Sequence, residues 1–525
     1  MKISNPVLTG FHPDPSICKA GDTYYIANST FEWFPGVELS WSKDLTTWHP
    51  LPSPLQRKEQ LDMTGCEPSC GIWAPCLSWD GKLFYLIYTN VHTWNRGPWK
   101  DTPNFLVTAQ RIEGPWSDPV YLNSSGFDPS LFHDTDGRNY LVNMEWDYRK
   151  KEEKQFSGIL LQEYDTKKKQ LTGPVKKIFT GSDIGLVEGP HLYKRDGWYY
   201  ILAAEGGTFY GHAATLARSR NIDGPYELHP ENPLITSRYD DTLVIKKAGH
   251  ASFCDYKDGM SILAFLCGRP LPGTKRCILG RETSLALIQW KNGWPYVAHN
   301  DGTLQNTPEP FVITDRDSTE IPPDRSRRYD FKDDSFYEDF KYLRTLDNKT
   351  FFTRTANGLQ IRGGDSPCST FYKALLARRQ TDFSFTVTIK VRFAPESFQQ
   401  MAGLSYYYDE NLQYYFALTR DEKKGICLKT MQMDSGIFSQ TEPVAVPYHS
   451  SGIYLRLDVS YTKGTFSWSP DSQNWTPVLK VFDTSILSDD YFRDSFTGAF
   501  IGMMCTDTAS HKATAEFEFF EYTVK

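Results

Sequence analysis

Acidic residues recur at a fixed distance before turns in the first half of the chain. Counting eight residues back from the Gly/Asp turns of four segments gives Asp14, Asp128, Glu188 and His250. In one further segment the same step misses Trp73 by a single residue. If the segments are repeats of one structural unit, these side chains face a common axis, and the pattern predicts three carboxylates in one pocket.

Three carboxylates in one pocket could perform acid–base chemistry on a glycosidic bond. One group deprotonates the attacking water while another protonates the leaving oxygen. We assign the base to Asp14 and the acid to Glu188, whose pKa the negative charge of Asp128 would raise. Aromatic neighbours would supply apolar walls for a sugar ring: Phe31, Trp73 and Phe127.

These residues also admit structural interpretations. Asp14 and Asp128 each precede a proline, as turn-starting aspartates often do. His250 is either a hydrogen-bonded core histidine or the holder of a water network or a divalent cation at the floor of the channel. We predict no other metal and no cofactor.

The elements that must position these residues are short strands. Five segments share a small-residue or proline turn, an apolar run, a Gly/Asp turn and an aromatic strand, and they start at residues 14, 73, 128, 188 and 250. Their period of about 60 residues suits one four-stranded sheet with its loops. Helical periodicity is nearly absent from this region. We therefore predict an all-β chain that opens with a five-bladed β-propeller.

Composition and charge exclude several function classes. The 525 residues include 57 basic and 64 acidic residues, so the net charge is −7 and no basic patch for nucleic acid or anionic membranes is expected. The N-terminus lacks the apolar run of a signal peptide, and no apolar segment could span a bilayer, which predicts a cytoplasmic protein. Cys66, Cys70 and Cys76 lie together without a neighbouring histidine, which favours buried thiols over zinc.

A set of motifs, taken in order, resembles glycoside hydrolase family 43 and its two-domain β-xylosidases. The motifs are Asn5-Pro6-Val7-Leu8-Thr9-Gly10-Phe11-His12-Pro13-Asp14-Pro15-Ser16, Gly71-Ile72-Trp73-Ala74-Pro75, Phe127-Asp128-Pro129-Ser130, Glu188-Gly189-Pro190-His191, Gly280-Arg281-Glu282-Thr283-Ser284-Leu285 and Gly293-Trp294-Pro295.

The resemblance implies roles for individual residues and a stereochemical outcome. Asp14 corresponds to the general base, Glu188 to the general acid and Asp128 to the acid that orients Glu188 and raises its pKa. Arg281 corresponds to a substrate-binding arginine, and the family inverts the anomeric configuration. The remaining residues that would line a xylose pocket are Phe31, Trp73, Phe127, Thr208 and His250.

The resemblance and the strand pattern also predict two domains. Residues 1–321 would form the catalytic propeller, and residues 326–525 a concanavalin-like β-sandwich after the polar junction at 321–324. An aromatic loop residue of the sandwich, Phe496, would close one side of the pocket. A closed pocket admits only a chain end, so the predicted enzyme releases xylose from the non-reducing ends of short β-1,4-xylo-oligosaccharides.

Two other functions remain open from the sequence. An α-L-arabinofuranosidase, or an enzyme with both activities, is the close alternative because arabinofuranose and xylopyranose place their hydroxyls similarly around the scissile bond. A non-catalytic carbohydrate-binding propeller is the alternative from another class. The chain could also form a homo-oligomer, which its sequence does not determine.

Overall fold

The computed structural model describes residues 2–95, 97–313, 325–447, 451–478, 481–492 and 495–525. These residues form strands joined by turns and loops, and the helices among them are five short 3-10 helices. Their bounds are Glu152–Gln155, Lys257–Gly259, Asp334–Glu338, Leu346–Phe351 and Thr484–Ile486. No helix in the described part of the chain has the length and apolar character needed to cross a bilayer.

Five antiparallel sheets, which we call blades 1 to 5, follow one another in the first 305 residues. This arrangement confirms the predicted five-bladed propeller. Blade 1 consists of Ser16–Ala20, Thr23–Asn28, Glu38–Ser42 and His49–Leu51, and blade 2 of Gly71–Trp79, Phe84–Val91, Asn104–Ala109 and Val120–Asn123. Blade 3 consists of Ser130–His133, Asn139–Trp146, Phe156–Asp165 and Gln170–Phe179. Blade 4 consists of Glu188–Arg195, Trp198–Glu205, Ala213–Ser219, Glu227–Leu228 and Ile235–Thr236, and blade 5 of Lys246–Asp255, Ser261–Gly268, Glu282–Lys291, Trp294–Ala298 and Leu304–Gln305.

The first strand of each blade is the innermost one, and these five strands contact one another in a closed ring. The second strands of blades 2 and 5, Phe84–Val91 and Ser261–Gly268, are buried along their whole length. A strand covered on both faces has no solvent-facing side. Its sequence is therefore largely apolar and does not alternate between apolar and polar residues. Lys2–Ser4, before blade 1, pairs with Phe311–Ile313, after blade 5, in a separate two-stranded sheet that joins the two ends of the propeller segment.

The C-terminal part is a sandwich of two antiparallel sheets, as predicted. Its chain enters at Arg327–Tyr329, and the predicted junction at 321–324 lies outside the described residues. Sheet I contains Arg327–Tyr329, Phe352–Thr355, Gly358–Arg362, Ser384–Arg392, Ile453–Ser460, Lys463–Ser469, Thr476–Pro477, Phe482–Asp483 and Thr514–Val524. Sheet II contains Trp33–Phe34, Phe340–Leu343, Ala374–Arg379, Gln400–Tyr407, Leu412–Asp421, Gly425–Asp434, Ile437–Gln440, Val444–Ala445 and Phe500–Asp507.

A short strand of the propeller joins the sandwich, which fixes the two units against each other. Trp33–Phe34, from a loop of blade 1, pairs with Phe340–Leu343 at the edge of sheet II. The Trp33 ring is buried and stacks on Phe500 with 3.9 Å between ring centroids. Covering a sheet edge in this way satisfies its backbone groups and removes an exposed pairing surface.

A buried charge cluster lies at the same interface. The Glu410 carboxylate accepts hydrogen bonds from Arg344 Nη1 at 2.9 Å, Lys373 Nζ at 2.7 Å and the Tyr407 hydroxyl at 2.8 Å. Arg344 Nε donates to the carbonyl of Cys66 in the propeller at 3.0 Å. Burial alone would raise the pKa of Glu410, but the two cations lower it to about 2. The carboxylate is therefore ionised at neutral pH.

Replacing Glu410 by glutamine will destabilise the protein by about 3 kcal/mol or more, because two buried cations lose their counter-charge. Differential scanning calorimetry of the full chain measures the loss as a lower Tm. The matched control is Glu518→Gln, which breaks the partly exposed ion pair with Lys390 and should change stability by less than about 1 kcal/mol. Equal Tm losses in both variants would contradict the role of the buried cluster.

Candidate active site

One cavity of about 210 Å³ lies at the entrance of the propeller channel, where the loop containing Phe496 approaches from the sandwich. All ten side chains named from the sequence line this cavity. They are Asp14, Phe31, Trp73, Phe127, Asp128, Glu188, Thr208, His250, Arg281 and Phe496.

The innermost strands position the acids through one repeated backbone feature. Asp14, Ala74, Asp128, Gly189 and His250 each stand two residues before a paired residue of an innermost strand, and each has a positive φ, between 33° and 55°. A non-glycine residue in this left-handed region is strained unless its surroundings hold it, and such strain is common at functional sites.

The ladders correct the register counted from the turns. Gly189, and not Glu188, is the blade 4 residue equivalent to Asp14 and Asp128. Glu188 is one residue earlier in the chain, at the position equivalent to Trp73 in blade 2. The eight-residue count is wrong here because the turn aspartate does not occupy the same place in each loop. Asp22 is the second residue of the two-residue loop between Ala20 and Thr23, whereas Asp196 is the first residue of the two-residue loop between Arg195 and Trp198.

Asp14 is held by partners from three parts of the chain. Its Oδ2 accepts a hydrogen bond from the Ser29 hydroxyl at 2.7 Å, and Ser29 Oγ accepts one from the Ala74 N–H at 2.7 Å. Its Oδ1 accepts from Arg281 Nη1 at 3.2 Å and lies 3.7 Å from His250 Nδ1. The side chain is 5% exposed, so the carboxylate is fixed in orientation and opens only toward the cavity.

Glu188 and Asp128 form a buried, interacting pair of carboxyl groups. Burial, together with the charges of Asp128 and Asp14, raises the pKa of Glu188 well above its ordinary value. Burial and the charge of Asp14 raise the pKa of Asp128 to about 8, while the Gly189 N–H, which donates to Asp128 Oδ2 at 3.0 Å, opposes this rise. Because that hydrogen bond favours ionised Asp128, Asp128 loses its proton at lower pH than Glu188, and Glu188 is the group that keeps its proton as the pH rises.

Replacing Asp128 by asparagine will move the basic limb of the pH profile of kcat/KM to lower pH by about one pH unit. The neutral amide no longer raises the pKa of Glu188, so the acid loses its proton sooner as the pH rises. Initial rates on an aryl xyloside, measured from about pH 5 to about pH 9, give the shift of the basic limb. Asp136→Asn, in an exposed turn of the same blade, is the control, and an unmoved limb in the Asp128 variant would contradict the coupling.

His250 packs against the backbone that follows the predicted acid. A Cβ added to Gly189 would lie 3.0 Å from His250 Cε1 and Nε2, and the φ of +55° at this position also favours glycine. Burial lowers the pKa of His250, so the ring is neutral near neutral pH. The described residues contain no group of three or more His, Cys, Asp or Glu side chains that could hold a metal ion. The cation near His250 therefore gains no support from this geometry.

Aromatic rings enclose the cavity. The Trp73 ring packs against three other rings of the lining, with centroid distances of 5.7 Å to Phe31, 5.5 Å to Phe127 and 5.7 Å to Phe496. The Phe496 backbone is bound to the propeller through its N–H, which donates to Ser69 Oγ at 2.9 Å, and its carbonyl, which accepts from Arg281 at 2.6 Å. The sandwich thus supplies one wall of the cavity.

Five further residues line the cavity that the sequence interpretation did not name: Trp94, Phe156, Leu186, Gly207 and Phe209. Gly207 and Phe209 flank Thr208, so the run after Glu205 could have suggested them. Trp94 and Phe156 come from outside the innermost strands, and no local pattern identifies them.

The chain matches known families along most of its length. Residues 3–295 match the family model for Glycosyl hydrolases family 43. Residues 328–523 match the model for a Beta xylosidase C-terminal Concanavalin A-like domain.

Similar proteins cover the whole chain. A Beta-xylosidase of Bacillus subtilis (strain 168) is 44% identical over 540 residues, with 100% of both chains covered. The Xylosidase/arabinosidase 43B of Humicola insolens is 44% identical over 537 residues, which are 99% of this chain and 97% of that protein. The crystal structure of xylan beta-1,4-xylosidase from Bacillus Halodurans C-125 superposes with a TM-score of 0.94 at 47% identity, covering 99% of this chain and 100% of that one.

Proposed function

Since the chain belongs to glycoside hydrolase family 43, we propose that it is an exo-acting, inverting β-xylosidase that releases D-xylose from the non-reducing ends of β-1,4-xylo-oligosaccharides. The observation that carries this proposal is the small, aromatic-walled cavity in which Asp14 and the pair Glu188/Asp128 come together. Its volume of about 210 Å³ lies below the roughly 300 to 1,000 Å³ of typical small-molecule pockets, so it suits one sugar at a chain end.

Asp14 takes the role of general base. Hydrogen bonds from Ser29 and Arg281 hold its carboxylate in one orientation. A water molecule between Asp14 and the anomeric carbon gives its proton to the carboxylate as its oxygen bonds to that carbon.

Glu188 takes the role of general acid. Its raised pKa leaves it protonated at neutral pH, so it can give its proton to the glycosidic oxygen as the bond from the anomeric carbon to that oxygen breaks. Attack by water on the face opposite to the leaving group inverts the configuration, and no covalent enzyme intermediate is formed. Between turnovers Asp14 releases its proton and Glu188 regains one from solvent.

Activity on arabinofuranosides is a second candidate function. The Humicola insolens relative, which is 44% identical over nearly the whole chain, carries both activities in its name. A pocket with one oriented base and one acid can act on either sugar if both present the scissile bond at the same place, so we propose arabinofuranoside hydrolysis as a secondary activity.

The test is hydrolysis of xylobiose, compared with an aryl arabinofuranoside and polymeric xylan, with product configuration followed by NMR at early times. We expect α-xylose to appear first, xylobiose to be a better substrate than xylan, and the arabinofuranoside to turn over more slowly. First release of β-xylose would overturn the inverting mechanism. Binding of xylobiose without turnover of any substrate would favour a non-catalytic sugar-binding propeller.

A further inference from the structure

Two adjacent carboxylates of the sandwich reach the propeller beside the cavity. Asp489 and Asp490 follow the 3-10 helix Thr484–Ile486, and Asp489 is 5% exposed. Asp490 Oδ1 lies 2.7 Å from Lys247 Nζ, and its Oδ2 accepts a hydrogen bond from the Cys277 N–H at 3.0 Å. Asp490 thus ties the sandwich to the propeller, whereas Asp489 faces the cavity arginine.

The three nitrogens of the Arg281 guanidinium face three different groups. Nη1 donates to the predicted base Asp14 at 3.2 Å, and Nη2 donates to the Phe496 carbonyl at 2.6 Å. Nε has no hydrogen-bond partner among the described residues, and Asp489 Oδ2 lies 4.0 Å from it. With the side chain only 2% exposed, Asp489 is the carboxylate that faces the third side of this buried cation.

Asp489 is itself held in place by the sandwich. Its Oδ1 accepts a hydrogen bond from the Tyr408 hydroxyl at 2.5 Å, and Tyr408 Oη accepts one from the Thr497 N–H at 3.1 Å. Thr497 adjoins Phe496, so the same loop supplies the wall of the cavity and the anchor of the carboxylate. Burial raises the pKa of Asp489 to about 6, against the charges of Lys247 and Arg281, so it is ionised at neutral pH.

We propose that Asp489 is a positioning residue for the reaction, acting from the sandwich through Arg281 on the base Asp14. The inference rests on the proposed function and adds to it a role for the second domain beyond closing the pocket. Arg281 lies between two carboxylates, one on each domain. The negative charge of Asp489 offsets the cation and keeps the planar fork aimed at Asp14 and the Phe496 carbonyl.

A double-mutant cycle tests this role in the full-length protein. Asp489→Asn keeps the shape of the side chain and an acceptor for Tyr408 but removes the charge. We expect it to lower kcat/KM on an aryl xyloside about 10-fold in the wild-type background. In the Arg281→Ala background the same change should lower kcat/KM by less than about 2-fold, because the group through which Asp489 acts is gone.

Asp490→Asn is the matched control. It removes the neighbouring charge and the Lys247 contact, so it lowers Tm, yet its effect on kcat/KM should be the same in both backgrounds. A purely structural role of Asp489 would also give equal losses in both backgrounds, and that result would overturn the proposal, as would wild-type kcat/KM in Asp489→Asn. Absence of xylosidase activity in the wild-type protein would instead reject the proposed function.

Discussion

Replacing Asp14 by asparagine will lower kcat for xylobiose by about 10³-fold to 10⁴-fold while leaving Tm close to that of the wild-type protein. Asparagine has the shape of aspartate, and its carbonyl oxygen can still accept from Arg281 while its amide N–H donates to Ser29 Oγ, so the pocket retains its geometry. Its amide cannot take a proton from water, and water without a base attacks the anomeric carbon slowly. Steady-state kinetics with xylobiose measure the loss.

The loss in Asp14→Asn should not depend on the leaving group, because the base acts on water and not on the glycosidic oxygen. An aryl xyloside with a good leaving group should therefore lose as much activity as xylobiose. Added azide, an anion that needs no deprotonation, should restore turnover of the aryl xyloside by bonding to the anomeric carbon and give the α-xylosyl azide. Turnover within about 10-fold of wild type without azide would contradict the assignment of the base.

Much of the propeller and its acids could be predicted from the sequence because each repeat carries its own signal. A proline precedes the innermost strand in blades 1 and 3 and lies within its first five residues in blades 2 and 4, so it marks the same end of the strand in all four. The predicted level of Glu188 was wrong by one residue because the count started from the turn aspartate, which is the second loop residue in blade 1 (Asp22) and the first in blade 4 (Asp196). The depth of each residue in the channel is set by the hydrogen-bonded pairing of the innermost strand with its neighbour. The register of that pairing cannot be deduced from the sequence.

The contribution of the sandwich was predictable only in part. Phe496 was named from the family resemblance, and it lines the cavity. The strand Trp33–Phe34, which joins sheet II, and the carboxylate of Asp489 beside Arg281 had no local signal. Both depend on contacts between residues more than 200 positions apart in the chain, which only the packed domains bring together.

Replacing Glu188 by glutamine will lower kcat for xylobiose by about 10³-fold or more, with a much smaller loss for substrates whose leaving group needs no proton. The amide is similar in size to the acid, so the cavity keeps its shape, but it cannot protonate the glycosidic oxygen. Rates for a series of aryl xylosides with leaving groups of decreasing pKa, measured beside xylobiose, give the dependence.

The pH profile provides the second test of the acid. In the wild-type protein kcat/KM should fall as the pH rises through the raised pKa of Glu188, because only the protonated form acts. In Glu188→Gln, assayed with the best leaving group, this basic limb should disappear, since the residue no longer titrates, whereas Asp14 still acts as base. Glu205→Gln, a buried glutamate of the same blade that lies outside the cavity lining, is the control and should keep the limb. A basic limb that persists in Glu188→Gln, or equal losses for good and poor leaving groups, would assign the proton donor to another residue, and Asp128 would be the next candidate because it shares the buried carboxyl pair.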